Sequence, residues 1–172
     1  HHYNIKVDNS KMPAKNKIQK LASSTWQMKL YMLLNLPMAF VAGIKITTVT
    51  DNEASVSVPY KFVNKNPFRS IYFAVQSMAA ELSSGILALN EVNNAKVPVS
   101  MLVLNMKASF TKKARTKIIF TCNEGDLIRD AISKSISTKE GQVVDVASVG
   151  LDTDGEKVAE FIFTWTFKPK IY

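Results

Sequence analysis

Glu81 is the residue whose type and setting point most directly to chemistry. It stands in the stretch NPFRSIYFAVQSMAAELSSGILALN, residues 66–90, as the one acidic residue between Glu53 and Glu91. At helical spacing its neighbours Ala74, Ser77, Gly85 and Ala88 are all small. A buried carboxylate with few partners has a raised pKa and can accept a proton near neutral pH, which makes Glu81 a candidate general base. The plainer reading is a mid-helix glutamate paired with a lysine or exposed at a subunit contact. His1 and His2 are the only histidines and read as the end of a purification tag. A Ser-His-Asp triad, a Cys-His pair and a histidine-bound zinc are therefore excluded from the body of the chain. Cys122, in the alternating run Thr116, Ile118, Phe120, Cys122, reads as a packing residue rather than a nucleophile.

The element that must position Glu81 reads as one long helix from Asn66 to Asn90, opened by Pro67 and Ser70. Ile71, Val75, Met78, Leu82, Ile86 and Leu89 fall on one side of it and form a core face. Upstream, residues 1–16 read as tag remnant and polar tail, lysine-rich to about Lys20, with Met12 as the expected native start. Leu21 to Asn35 lacks strand alternation and reads as a helix that Pro37 ends or bends. Its methionines suit core packing, with a greasy ligand channel as the alternative. Gly43 to Thr50 and Glu53 to Tyr60 read as strands around Asp51-Asn52, and Lys61 to Arg69 as a loop.

Beyond the helix, the apolar run Val97 to Phe110 reads as a central strand and Thr116 to Asn123 as the next. Asp126 to Ile136 has the spacing of a short surface helix. Gln142 to Leu151 and Lys157 to Phe167 flank Asp154-Gly155, a hairpin turn signal, and Ala159, Phe161, Phe163, Trp165 and Phe167 share one face. The expected architecture is α+β: residues 17–172 form one domain, an antiparallel sheet curved around the long helix, with an additional N-terminal helix.

Composition agrees with one globular domain: 172 residues, 47% hydrophobic and 21% charged, which excludes disordered and fibrous classes. The 22 basic and 14 acidic residues give +8 and favour nucleic acid, anionic lipid or a phosphorylated cofactor as partner. Lysines flank the aromatic row instead of interleaving it, which argues against nucleic acid. No apolar run reaches the ~18 residues of a membrane span, because Asn35 and Pro37 interrupt Met28 to Val41. No signal peptide is recognisable, and stable membrane insertion is not expected. A single cysteine precludes an internal disulfide and suits a reducing compartment, so a cytoplasmic location is expected.

The element order, Asn66 ahead of the helix, Glu81 within it and the closing SVGLDTDGEKVAEFIFTWTFK resemble the hotdog-fold acyl-CoA thioesterases. The resemblance is to the phenylacetate-pathway (PaaI) type and the related domain of unknown function typified by the YiiD C-terminal region, and it covers about Gly43 to Phe167. It implies hydrolysis of an acyl-CoA or related thioester, with Glu81 as base or nucleophile and Asn66 helping to place the nucleophile. It implies backbone oxyanion donors around Tyr72, Phe73 and Ala74, with Phe73 at their centre, and an acyl pocket beside Ser77. It also implies a homodimer or larger homo-oligomer with the pocket between subunits. Coenzyme A enters as part of the substrate and no separate cofactor is implied.

Arg69 suits an anionic ligand group or braces its loop, and Lys112 and Lys113 suit the phosphates of coenzyme A or form a solvated basic turn. Two positions depart from the family pattern. Tyr72-Phe73-Ala74 replaces the usual histidine and glycines at the helix start, and Val103 stands where a serine or threonine often faces the carboxylate of the neighbouring subunit. The alternative function is therefore a non-catalytic acyl-CoA or lipid-binding hotdog protein.

Overall fold

A computed structural model describes residues 17–170, so the tag and tail assigned to residues 1–16 lie outside the described residues. Three short helices come first, α1 (Lys17–Ser23), α2 (Thr25–Asn35) and α3 (Pro37–Ala42). Sequence reasoning put one helix here, starting at Leu21. The chain breaks at Ser24, which adopts an extended conformation before α2. Pro37, expected to end the helical region, instead opens α3, where its missing N–H and fixed φ fit the first position of a helix. Gly43 stops α3 with φ 72°, a conformation that glycine adopts without steric cost.

The sheet has six antiparallel strands in the order β1-β2-β4-β5-β6-β3. They are β1 (Lys45–Val49), β2 (Ala54–Val58), β3 (Val99–Phe110), β4 (Ile118–Cys122), β5 (Gln142–Leu151) and β6 (Lys157–Pro169). The sheet lies against α4 (Phe73–Asn94), which touches all six of its strands, most closely β2, β4 and β5. Helix α5 (Gly125–Thr138) bridges β4 and β5, burying Ile128 and Ile132 and joining α4 through the Arg129–Glu91 ion pair at 3.3 Å. The α+β architecture expected from the sequence is present.

Three corrections have clear causes. First, α4 begins at Phe73, seven residues after Asn66, because Asn66 Oδ1 accepts the N–H groups of Phe68 and Ser70, at 3.0 and 3.2 Å, and Arg69 turns to φ 58°. These contacts hold residues 66–70 in a loop. Second, β3 is an edge strand, paired only with β6, and not a central one. Third, α1 forms within the lysine-rich segment that looked like tail, seating Ile18 in the core.

The core is built where alternation and helical spacing placed it. Ala159, Phe161, Phe163, Trp165 and Phe167 of β6 are all buried, as are Ile71, Val75, Leu82 and Ile86 of the helical stretch. Buried hydroxyls pin α4 to the sheet: Ser83 and Ser148 share a hydrogen bond of 2.7 Å, and Trp165 Nε1 donates to Ser84 Oγ at 3.1 Å. Cys122 is buried, and loss of hydration pushes its thiol up to about 11, which confirms a packing role.

Candidate functional site

Glu81 lies in the third turn of α4, on the side where the corner between α2 and α3 crosses the helix. Two small concavities open onto it. One, of about 240 Å³, is lined by Asn35, Leu36, Met38, Met78 and Leu82, and the other, of about 160 Å³, by Tyr31, Leu36, Gly85, Leu89 and Met101. Among the described residues no donor or cation bonds the carboxylate. Removal from water raises its pKa above the usual carboxylate value of 4.5, because the charged form loses hydration with nothing to replace it. Of the plainer reading, the lysine-paired form is absent among the described residues.

The other residues proposed from the sequence gather elsewhere. Asn66, Tyr72, Phe73, Lys112 and Lys113 line a cleft of about 780 Å³ at the start of α4. The N–H of Tyr72 is held by the Asn64 carbonyl at 2.8 Å. The N–H groups of Phe73 and Ala74 have no partner among the described residues, as expected for the first turn of a helix. Asn66 directs its side-chain oxygen at Phe68 and Ser70, so it shapes the loop. Lys112 is bonded to Asp152, at 2.8 Å, and to Glu156, which raises its pKa and commits its charge to the β5–β6 turn. Lys113 keeps the rim of the cleft. Arg69 is exposed, and its carbonyl receives the Tyr60 hydroxyl at 3.0 Å.

Ser77 Oγ contacts Met106 Sδ at 3.2 Å, placing Ser77 under β3. Val103 pairs with Trp165 just before a bulge in β3. Along the axis, Glu81 is eight residues from Phe73, or about 12 Å at 1.5 Å per residue.

The sequence matches the family described as domain of unknown function DUF4442 over residues 24–167. The chain belongs to the DUF4442 family. Solved structures similar to this DUF4442 protein include a Pseudomonas aeruginosa protein of unknown function described as a probable thioesterase. It is 17% identical, with 86% of this chain and 97% of that chain covered and a TM-score of 0.73. A Haemophilus influenzae thioesterase is 14% identical over 83% of this chain and 90% of that one, with a TM-score of 0.61. A Chlorobaculum tepidum protein of unknown function is 9% identical over 90% and 98%, with a TM-score of 0.73. No curated protein sequence matches the chain. The DUF4442 chain has the hotdog fold, as its resemblance implied.

Sequence reasoning missed two contributors. Gln76, only 4% exposed, lines the cleft of the DUF4442 protein, donates to the Ile71 carbonyl at 3.0 Å and leaves its Oε1 without a partner. A lone glutamine in the first turn of an amphipathic helix looks like a surface residue, so no signal marks it. Tyr31 and Leu36 border the concavity at Glu81, and nothing in the reading of the N-terminal helix pointed toward them. Met28 and Met32 are buried, as core packing requires, and also border a separate cavity of about 430 Å³ with Phe40, Ile44 and Ile46.

Gly85 offers a direct test of the space around the carboxylate. A Cβ there would stand 3.1 Å from Glu81 Oε1 and 3.5 Å from the Trp165 ring. Gly85→Ala removes a helix-interior glycine, a gain of about 0.8–1 kcal/mol, but forces the Glu81 carboxylate to shift by a few tenths of an ångström. The expected result is a change in midpoint of thermal unfolding below that full helix gain, with a several-fold fall in any Glu81-dependent turnover.

Proposed function

We propose that the protein hydrolyses acyl thioesters of coenzyme A or a related donor, using Glu81 as general base or nucleophile. The observation that carries this reading is the half-buried, unpartnered Glu81 carboxylate with its raised pKa, opening onto apolar space in a fold that thioesterases share. Such a group activates water, or attacks the thioester carbon, while helix N–H groups stabilise the oxygen that becomes negative. The rise of about 12 Å along α4 from Phe73 to Glu81 supports a homodimer in which each protomer supplies one of the two groups. β3 is suited to that pairing, being a twelve-residue edge strand with Leu102, 61% exposed, and Leu104 turned to solvent. Lys113 and Arg69 would meet the phosphates of coenzyme A, and Ala74, Ser77 and Val103 the acyl arm. The single buried cysteine accords with a cytoplasmic location.

A second reading has its own support. Tyr72 and Phe73 place large side chains at the helix start, their rings 4.9 Å apart edge to face, and Asn66 is occupied by its loop. These features favour an acyl-CoA or lipid binder without turnover. Hydrolysis assays across acyl-CoA chain lengths decide between the two. Turnover above a Glu81→Ala control is the expected result, whereas ligand binding with turnover equal to that control overturns the enzyme reading.

A further inference from the structure

Helix α2 is apolar on both sides. Met28 and Met32 face the core, and Trp26, Leu30, Leu33 and Leu34, at i, i+4, i+7 and i+8, occupy the opposite side in solvent, with Trp26 75% and Leu34 71% exposed. On α3, Met38, 70% exposed, and Val41 extend the patch. The C-terminal end of α3 is tied to residues 61–64, where Lys61 Nζ donates to the Val41 carbonyl at 2.8 Å and Asn64 Nδ2 to the Ala42 carbonyl at 2.9 Å. Exposed Phe62 and Val63 therefore stand beside it. Isolated apolar side chains on a surface need no explanation, but a contiguous group marks an interaction face.

Charge selects the partner. From Asn9 to Thr50 the chain has six lysines and no acidic residue, and from Ala54 to Ala80 it has Lys61, Lys65 and Arg69, again with no acidic residue. Lys29 and Lys45 border the same cavity at the flank of α2. A two-fold contact between copies through this face would set its flanking lysines against the same lysines of the second copy. An anionic bilayer supplies the opposite charge, and a helix combining tryptophan, leucine and flanking lysine suits the headgroup layer. We propose that the α2–α3 face docks the protein on an anionic lipid surface, Trp26, Leu30, Leu34 and Met38 entering the headgroup boundary while Lys29, Lys45 and Lys61 meet the lipid charges. No helix of the described residues is long and apolar enough to cross the bilayer, so this is attachment from one side. The docking requires no turnover and stands whether or not the thioesterase reading does.

Fluorescence makes the test direct, because the only other tryptophan, Trp165, is 3% exposed and held by Ser84. The full chain is titrated with vesicles of phosphatidylcholine alone and with added phosphatidylserine. Binding to the anionic vesicles, with a blue shift that Trp26→Phe abolishes and salt reverses, is the expected result. Leu30→Ser/Leu34→Ser lowers affinity more than tenfold, and Lys29→Ala/Lys45→Ala lowers it about 25-fold, at roughly fivefold per lysine. The lysine pair serves as the test if the serine pair does not fold. Absence of binding to anionic vesicles, or equal binding to neutral ones, overturns the proposal. So does a dimer that the serine pair dissociates in a protein that ignores vesicles, since the face then belongs to a second copy.

Discussion

Glu81→Gln lowers thioester hydrolysis by on the order of 10²- to 10⁴-fold, the contribution of a positioned general base. If Glu81 is the base, wild-type turnover is expected to rise with pH as it deprotonates, with an inflection above the ordinary carboxylate value because partial burial disfavours the charge. The same substitution alters stability in a direction the burial dictates. The folded protein holds the Glu81 proton more tightly than the unfolded chain does, so more protons are bound in the folded state between the two pKa values. Stability from this group is complete below 4.5, the unfolded reference, and is lost as pH rises through the elevated folded value. Glutamine carries no ionisable proton and removes that loss. Denaturant midpoints measured across pH should therefore diverge, the Glu81→Gln protein falling less than wild type on the alkaline side. Parallel curves, or turnover unchanged by the substitution, would rule Glu81 out as the base.

Phe161→Ala is the most damaging packing change expected. The ring is fully buried and meets Phe110 of β3 at 5.6 Å, Phe120 of β4 at 5.6 Å and Phe163 of its own strand at 5.9 Å. Phe120 in turn lies over Gly150, where a Cβ would stand 2.5 Å from its ring, so the cluster has no side chain with which to fill a void from that direction. Truncation at this point should cost about 3–5 kcal/mol, from lost transfer energy and the cavity left behind. The urea midpoint is expected to fall at an unchanged slope, the sign that stability and not the extent of unfolding has altered. A cost below ~1 kcal/mol would show that the three strands close over the gap.

What could be read from the chain alone follows from how local each determinant is. The hairpin around Asp154-Gly155 carries its own turn chemistry and a period of two. Its strands were placed at Gln142 to Leu151 and Lys157 to Phe167, against observed bounds of Gln142–Leu151 and Lys157–Pro169. The start of α4 carries conflicting signals, since Pro67 and Ser70 look like helix openers while the side chain of Asn66 holds the following residues in a loop. β3 misleads in another way. An apolar run buried on both faces and one awaiting a partner at a sheet edge have the same composition, so Val97 to Phe110 read as central.

The site divides similarly. Glu81 stood out because it is an isolated acid among small residues, and the structure leaves it half-buried and without a partner among the described residues. Its distance from Phe73, the occupied oxygen of Asn66 and the orphaned Oε1 of Gln76 depend on contacts between remote segments, which no local pattern encodes.

The strand order carries a consequence for synthesis. Of the six strands β6 is made last, yet it lies between β5 and β3, and β3 has no other neighbour in the sheet. A ribosome adding about 5–20 residues per second leaves β3 without its partner for several seconds after it emerges. Leu102, Leu104 and Met106 remain uncovered throughout, in a strand whose backbone donors and acceptors are free to pair with any other chain. Folding of this half of the sheet must await synthesis and emergence of β6, and a nascent chain stalled before Lys157 is the form of this domain most exposed to aggregation.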